Sequence, residues 1–332
     1  MTANPDVSVV ISCKNRQAML WDCFLGLGAQ TLPRDRFEVV LMDNVSRDDL
    51  AGVAERARRE LGLAVTFTRM DEDHGPAPAR NRGVGIARAP IIAFTDSDCR
   101  PEPGWLEAGI AAFADPAIAL VTGPVLPKPG QPVRATSKLT FVVETEHASF
   151  PNANAFYRRA VFLAFGGFDA TLSFDDPFGR STECADTDLA WRIIKAGHAR
   201  RFMPDAVIRH EIEQLSVFNW LIEPTRVFAL PELVRRHPEL RAELLTWGIF
   251  FYPSGTLRVV ATLLWLLACA FVPWLLLLGP LGLLAIALRP RRGPQAGDLG
   301  QRLLKAGGDI LRQFALTASL LYGSARFRSL VL

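Results

Sequence analysis

Phe94-Thr95-Asp96-Ser97-Asp98-Cys99-Arg100 decides how the rest of the chain is read. The apolar run Ile91-Ile92-Ala93-Phe94 reads as a buried strand, and it ends in two carboxylates one residue apart. In a parallel α/β sheet ligands bind at the carboxyl ends of strands. Aspartates just past such an end can hold Mg2+ or Mn2+ and leave coordination positions for phosphate. Taken alone the triplet is more often a solvated surface turn, so its weight comes from its surroundings.

Those surroundings alternate. Val7 to Ser12 reads as a first strand, Gln17 to Gln30 as a helix, Phe37 to Met42 as a second strand and Arg47 to Leu61 as a helix. Ala64 to Arg69, the helix Pro78 to Arg88 and the strand Ile91 to Thr95 continue the pattern, which predicts a mostly parallel sheet. A helix opening at Pro103-Gly104-Trp105 and a fifth strand, Ile118 to Thr122, complete the first half. Prolines 124, 127, 129 and 132 mark the loop that closes it. Beyond it the pattern predicts strands at Phe141 to Glu146 and Asn154 to Tyr157, a helix at Arg159 to Phe165 and a mobile loop from Phe168 to Thr182. A helix from Asp186 to Ala196 and short strands at 201–203 and 206–208 follow.

The 332 residues suffice for one large α/β domain and an appendage. The block Leu257 to Leu288 carries only Arg258 as a charge and reads as a membrane segment. As one helix it would run about 48 Å, against about 30 Å of hydrocarbon, so the expectation is a hairpin broken near Pro273 or Gly279-Pro280. Arg235, Arg236, Arg241 and Arg258 precede the block and Arg289, Arg291 and Arg292 follow it, which favours one cytoplasmic side for both flanks. From Arg289 onward eight Lys or Arg face Asp298 and Asp309, a net of +6 that leaves −3 for the rest. A basic tail with Leu303, Ile310, Phe314 and Leu321 as its apolar stripe suits anionic lipid rather than nucleic acid. Polar residues open the chain, the run Val7 to Ile11 is too short for a signal core, and five cysteines without a C-x-x-C pair fit reduced thiols.

In sequence order, Val7 to Ser12 with Asn15-Arg16, Val40 to Ser46 containing Asp43-Asn44, and Ala79-Arg80-Asn81-Arg82-Gly83 lead into Phe94 to Asp98. Asn154 to Arg159, Gly166-Gly167-Phe168-Asp169 and Ala185-Asp186-Thr187-Asp188-Leu189-Ala190-Trp191-Arg192 follow. This ordered set, spanning about the first 210 residues, resembles the family 2 glycosyltransferases of GT-A fold. The resemblance implies a Rossmann-like α/β domain over 1–215, with a nucleotide-binding half (1–123) and an acceptor half (124–215). Connecting amphipathic helices (216–256), the membrane hairpin or span (257–288) and the basic amphipathic tail (289–332) complete the layout. It further implies an inverting, metal-dependent transfer of one sugar to a lipid-linked or envelope glycan at the cytoplasmic membrane face.

By the same resemblance Asp96 faces the ribose, Asp98 holds Mn2+ or Mg2+, and His210 completes the metal shell. Ser12, Asn15, Arg16, Asp43, Arg80 and Asn81 line the nucleotide-sugar, with Asp43 accepting a hydrogen bond from the base. Asp186 is the general base. Two departures stand out: Asp43-Asn44 replaces the commoner pair of aspartates, which leaves the donor open between UDP-, dTDP- and GDP-sugars with UDP first, and Ala185 replaces a frequent Glu.

Plainer readings stand beside these. Asp43 or Asn44 can cap the following helix, Asp186 and Asp188 can serve a helix dipole, and His210 can cap an element. Trp105, Phe141, Phe156, Phe168 and Trp191 suit either sugar-site walls or core, and Arg158 and Arg159 suit either a diphosphate or the acidic pair Asp175-Asp176. A non-catalytic sugar-nucleotide-binding scaffold is the alternative function. A nucleotidyltransferase would want glycines after the first strand, which Ser12 to Arg16 lacks, and a processive synthase would want more than one apolar block.

Overall fold

The computed structural model describes residues 4–138, 142–288 and 298–332. Phe141 and the arginines 289, 291 and 292 lie outside the described residues. Two compact units result. The first comprises Met1–Pro129, Leu139–Ser173 and Glu183–Glu211, and the second Gly130–Lys138, Phe174–Thr182 and Ile212–Leu332.

In the first unit β1 (Val7–Cys13), α1 (Gln17–Leu27), β2 (Phe37–Asp43), α2 (Leu50–Leu61), β3 (Val65–Arg69), α3 (Pro76–Ile86) and β4 (Ile91–Phe94) follow the expected alternation. Then come β5 (Cys99–Pro101), α4 (Trp105–Ala111), β6 (Ile118–Thr122) and β7 (Val125–Pro127). Past β8 (Ser137–Lys138), which belongs to the second unit, lie β9 (Ala155–Arg158) and α5 (Arg159–Ala164). The pair β10 (Ser173–Asp175) and β11 (Ser181–Glu183), most of which belongs to the second unit, precedes α6 (Ala185–Lys195), β12 (Ala199–Phe202) and β13 (Ile208–His210) of the first. The main sheet has the order β12-β6-β9-β4-β1-β2-β3. β1, β2, β3 and β4 run parallel, as does β12 beside β6, whereas β9 runs antiparallel between β4 and β6. Val9, Val10, Val39 and Val40 have no exposure, as strands covered on both faces require. A small second sheet, β5-β13-β7, stands against the end of β4.

Several local expectations are corrected. Asp49, not Asp43 or Asn44, caps α2 by accepting from Gly52 N. Residues 142–146 hold no strand, and Val143 makes an isolated bridge to Val125. The segment 168–182 carries a hairpin instead of a loose loop. In it Asp176 accepts from the backbone of Phe178 and Arg180, from the Arg180 side chain at 2.5 Å and from Thr225 at 2.7 Å. Burial alone would raise its carboxyl, but these bonds lower it to about 2. Trp105, Phe156 and Phe168 are core, and Trp191 is buried with its indole N–H donating to Ala148 O at 2.9 Å. Arg158 donates to the carbonyls of Ile118, Phe113 and Asp115, and Arg159 to that of Val84, so neither meets Asp175 or Asp176.

The second unit continues with β14 (Glu213–Gln214), paired to β8, and past β14 its named elements are helices. Its helices are α7 (Val217–Ile222), α8 (Leu230–Arg236), α9 (Leu240–Leu244), α10 (Pro253–Phe271), α11 (Leu278–Leu288) and α12 (Leu299–Phe327). The apolar block breaks at Val272-Pro273, as expected, but Gly279-Pro280 lies inside α11. α10, at 19 residues, is long and apolar enough to cross a membrane. Leu257, Leu264, Phe271, Trp274 and Leu277 on α10 and the following turn are all more than half exposed. From Leu299 to Phe327 the tail is helical, and two of its cations, Lys305 and Arg312, are partnered. Lys305 and Arg312 flank the Trp220 ring at 5.5 and 4.9 Å, Lys305 also lies 3.5 Å from Asp309, and Arg312 lies 3.2 Å from Glu223. Gly308 and Gly323 sit where Trp220 and the Phe228 carbonyl press against α12.

Candidate functional site

The parallel register aligns Cys13, Asp43 and Arg69 along the carboxyl edge of the first unit's sheet. Ser12 stands one step inside that edge, opposite Met42, and is partly exposed. Asn15 turns the chain out of β1 with φ 53°, a left-handed conformation that Asn tolerates better than most residues. Its carbonyl oxygen Oδ1 accepts from Arg47 N at 2.7 Å, and its own N donates to Ser46 Oγ at 3.1 Å, so the β1 and β2 loops are tied together. Asp43 is 1% exposed at its side chain and accepts from Ser46 N at 2.8 Å and Arg69 Nη1 at 2.9 Å. Asn44 donates to Asp73 at 2.5 Å, and Lys14 pairs with the same carboxylate.

Beyond β4 the chain turns tightly, with Cys99 N donating to Asp96 O at 3.1 Å. Glu211 N donates to Asp98 O at 3.0 Å, which fastens the end of β13 to this turn and brings His210 beside it. His210 Nε2 lies 3.7 Å from Asp98 Oδ1, while Arg16 pairs with Asp98 Oδ2. One ligand atom from each of Asp96, Asp98, Cys99 and His210 falls within 4.8 Å of the others. Two carboxylates and an imidazole suit a divalent cation such as Mn2+ or Mg2+. Burial raises the Cys99 thiol well above its usual range, so the oxygens and the imidazole are the ready donors.

Arg80 on α3 is the cross-tie. Its Nη2 donates to Asp96 at 2.7 Å and its Nη1 pairs with Glu183 at 3.1 Å, while Glu183 also accepts from Ala77 N at 2.8 Å. Burial would weaken its charge, but Asp96 and Glu183 outweigh that and raise its pKa. Past Glu183, the α6 residue Asp186 accepts from Thr187 N at 2.8 Å and Asn152 N at 3.4 Å. Burial, with help from the Glu183 charge and against Arg80 and the two backbone bonds, pushes its carboxyl up to about 6. Asp188 plays a different part, pairing with Arg192 at 2.8 Å, and Arg192 in turn bonds Gly167 O at 2.8 Å. Asn81 uses both ends of its amide on the Phe168 backbone, at 2.8 and 2.9 Å, and so braces the Gly166-Gly167 turn.

Sequence reading passes over Lys14, Arg69, Asp73 and Lys128. Lys128, 10% exposed at its side chain, joins Asp22 at 2.7 Å to Glu211 at 2.8 Å next to His210. Its only sequence signal is a cation placed among the prolines of the 124–132 loop.

Residues 8–169 match the family described as glycosyl transferase family 2. The chain is 26% identical over 264 residues to the pre-mycofactocin glycosyltransferase of Mycobacterium tuberculosis, covering 73% of this chain and 50% of that protein. It is 28% identical over 218 residues to the glycosyltransferase AglE of Haloferax volcanii, covering 62% and 67%. The chain thus spans about half the length of the mycobacterial relative. Among solved structures, the mannosyltransferase PcManGT from Pyrobaculum calidifontis in complex with GDP-Man and Mn2+ superposes with a TM-score of 0.58. The match has 22% identity and covers 98% of this chain and 88% of that one. With a GT-A arrangement of strands and a family match that runs from β1 through the Gly166-Gly167 turn, the segment 8–169 belongs to glycosyl transferase family 2.

Proposed function

We propose that the protein is a metal-dependent, inverting glycosyltransferase that moves one sugar from a nucleotide-sugar to a lipid-linked or cell-envelope glycan at the cytoplasmic membrane face. One observation carries the reading: Arg80 ties Asp96, at the donor turn, to Glu183, the charge beside the raised carboxyl of Asp186. A scaffold that merely bound sugar nucleotides would have no use for a carboxyl tuned to about 6 next to the donor turn.

Asp186 takes the proton of the acceptor hydroxyl as its oxygen bonds to the anomeric carbon. The glycosyl–phosphate bond breaks, and its electron pair leaves with the diphosphate. Asp98, Asp96 and His210 would hold the divalent ion, Mn2+ or Mg2+, which would supply positive charge against the charge that develops on the diphosphate. Asp96 faces the ribose with its orientation fixed by Arg80. Ser12, Asn15, Arg16 and Asp43 line the nucleotide, and Asn81 shapes the pocket through the turn it braces. UDP-sugars are the first donors to test, with dTDP- and GDP-sugars next.

The apolar block enters the bilayer as a hairpin and leaves both flanks in the cytoplasm. The exposed apolar side chains of α10 support this, as does the packing of α12 against α7, α8, α10 and α11 within one unit, because a tail packed on α7 and α8 stays on their side of the membrane. The test is a sugar-nucleotide screen for Mn2+-dependent nucleotide release in the presence of membrane extract. Asp98→Ala should abolish the metal-dependent signal, and full turnover by that variant in chelator would refute the assignment.

A further inference from the structure

We infer that the loop leading into α10 docks in the headgroup layer of a lipid bilayer, with the Trp247 ring at the boundary of the hydrocarbon and the Arg258 guanidinium on lipid phosphates. The inference rests on the reading that the apolar block enters a bilayer, and it adds the surface that meets the headgroups.

The loop holds its backbone firmly and leaves its aromatic rings outside. Thr246 and Phe250 exchange both backbone hydrogen bonds, at 2.8 and 3.0 Å. Phe251 N donates to Leu332 O at 2.7 Å and Leu332 N to Ile249 O at 2.8 Å, while Arg241 donates to Gly248 O at 2.7 Å and Leu330 O at 3.0 Å. Trp247 is nevertheless 83% exposed, meeting only the edge of the Phe250 ring at 6.0 Å between centres among the ring contacts of the described residues. Its φ of 52° is a left-handed value that a bulky residue adopts at a cost, so the fold gains nothing from tryptophan at this position. Tryptophan and tyrosine pair an apolar body with a polar edge and concentrate at the membrane–water boundary, and Tyr252, 43% exposed, is the second such ring of the loop.

Two features of α10 say what covers these rings. The helix begins at Pro253, directly after Tyr252, and its Leu257, Val260 and Leu264 are 68, 47 and 61% exposed, so the aromatic tip runs straight into side chains that need lipid. Arg258 breaks that apolar run. It is exposed, and among the described residues no carboxylate pairs with its guanidinium. It lies about 8 Å into the helix, and helical side chains lean toward the N-terminus, so its stem runs back toward the loop and brings the cation level with the headgroup phosphates. A second copy of the chain would bury the rings and leave Arg258 without an anion; a bilayer offers an apolar boundary and phosphates in adjacent layers.

The experiment places a nitroxide at Thr246→Cys, at Leu264→Cys and, as an aqueous reference, at Glu55→Cys on α2, whose side chain is 63% exposed. The full chain is reconstituted in vesicles of phosphatidylcholine and phosphatidylglycerol, and relaxation of each label by a water-soluble nickel chelate is measured. The five native cysteines are buried, and wild type carried through labelling gives the background. The Thr246 label should be about threefold less accessible to nickel than the Glu55 label, yet more accessible than the Leu264 label, as a site in the headgroup layer requires. Trp247→Ala or Arg258→Gln, added to Thr246→Cys and checked for folding by circular dichroism, should each raise that access about twofold, whereas Arg258→Lys, whose stem reaches back in the same way, should leave it unchanged. A Thr246 label as open to nickel as the Glu55 label, beside a shielded Leu264 label, would overturn the inference and leave the membrane reading standing. So would access that neither Trp247→Ala nor Arg258→Gln moves, or spin–spin broadening at Thr246→Cys that disappears on dilution with unlabelled chain, which would put a second copy on the loop. A Leu264 label as open as the Glu55 label would remove the membrane reading itself.

Discussion

Replacing Asp186 by Asn keeps the side chain's outline and removes its ability to take a proton, and two opposite effects follow. Turnover should drop by a factor of about 100 or more, the usual scale for a lost general base. Stability should rise. A carboxyl at about 6 in the folded chain, against a reference of 3.8, binds more protons folded than unfolded throughout that interval. Its ionisation therefore costs stability as pH rises from about 4 to about 6, and above that the full penalty applies. The difference between about 6 folded and 3.8 unfolded, at about 1.36 kcal/mol per pH unit, sets an upper bound of ~3 kcal/mol at pH 7.5, and about half of that at pH 5. Asparagine gives back part of the gain, because its NH2 end cannot accept from Asn152 N or Thr187 N as both carboxylate oxygens do. A net rise of about 1–2 kcal/mol at pH 7.5, shrinking toward pH 5, is the expected result. Thermal melts at the two pH values, beside nucleotide-release rates, check both halves. The wild-type rate should also climb with pH through an apparent pKa near 6. A variant that turns over normally, or that melts below wild type at pH 7.5 and no differently at pH 5, would refute the assignment of Asp186 as a partly buried, destabilised base.

Other substitutions probe the frame around the site. Lys128→Met leaves Asp22 and Glu211 against each other without their shared cation, so urea unfolding should show a loss of about 3–5 kcal/mol, and an unchanged midpoint would dismiss the cross-tie. Asn81→Ala deletes both bonds to the Phe168 backbone and should cost about 1–3 kcal/mol by the same assay, with faster proteolysis around 166–172. On α12, Gly307 has open space around it and Gly323 faces the Phe228 carbonyl. Gly307→Ala should therefore raise the melting temperature through about 0.4–1 kcal/mol of helix preference, and Gly323→Ala should lower it. A rise in both would mean that α12 does not pack as described.

The strand and helix alternation of the first half is written in the chain itself, because short apolar runs separated by amphipathic stretches have few other ways to bury their surface. The carboxylates at the end of β4 are legible for the same reason: strand ends put them at the ligand edge. Direction is not legible. Asn154 to Tyr157 reads as a strand from its residues, but the antiparallel place of β9 between β4 and β6 depends on which neighbours offer unpaired backbone, and that is a property of the assembled sheet. The 168–182 stretch reads as mobile because it is rich in Asp, Gly and Ser, whereas Asp176 finds its partners Arg180 and Thr225 only after folding. The tail's amphipathic pattern announces a helix correctly but cannot say what its face will meet, since Trp220 lies about ninety residues away in sequence. Arg80 stands out by motif; that its single guanidinium joins Asp96 to Glu183, itself 103 residues from Arg80, and so links the turn after β4 to the neighbourhood of Asp186, was decided by tertiary structure alone, because a charge acts through space and the sequence records only order along the chain.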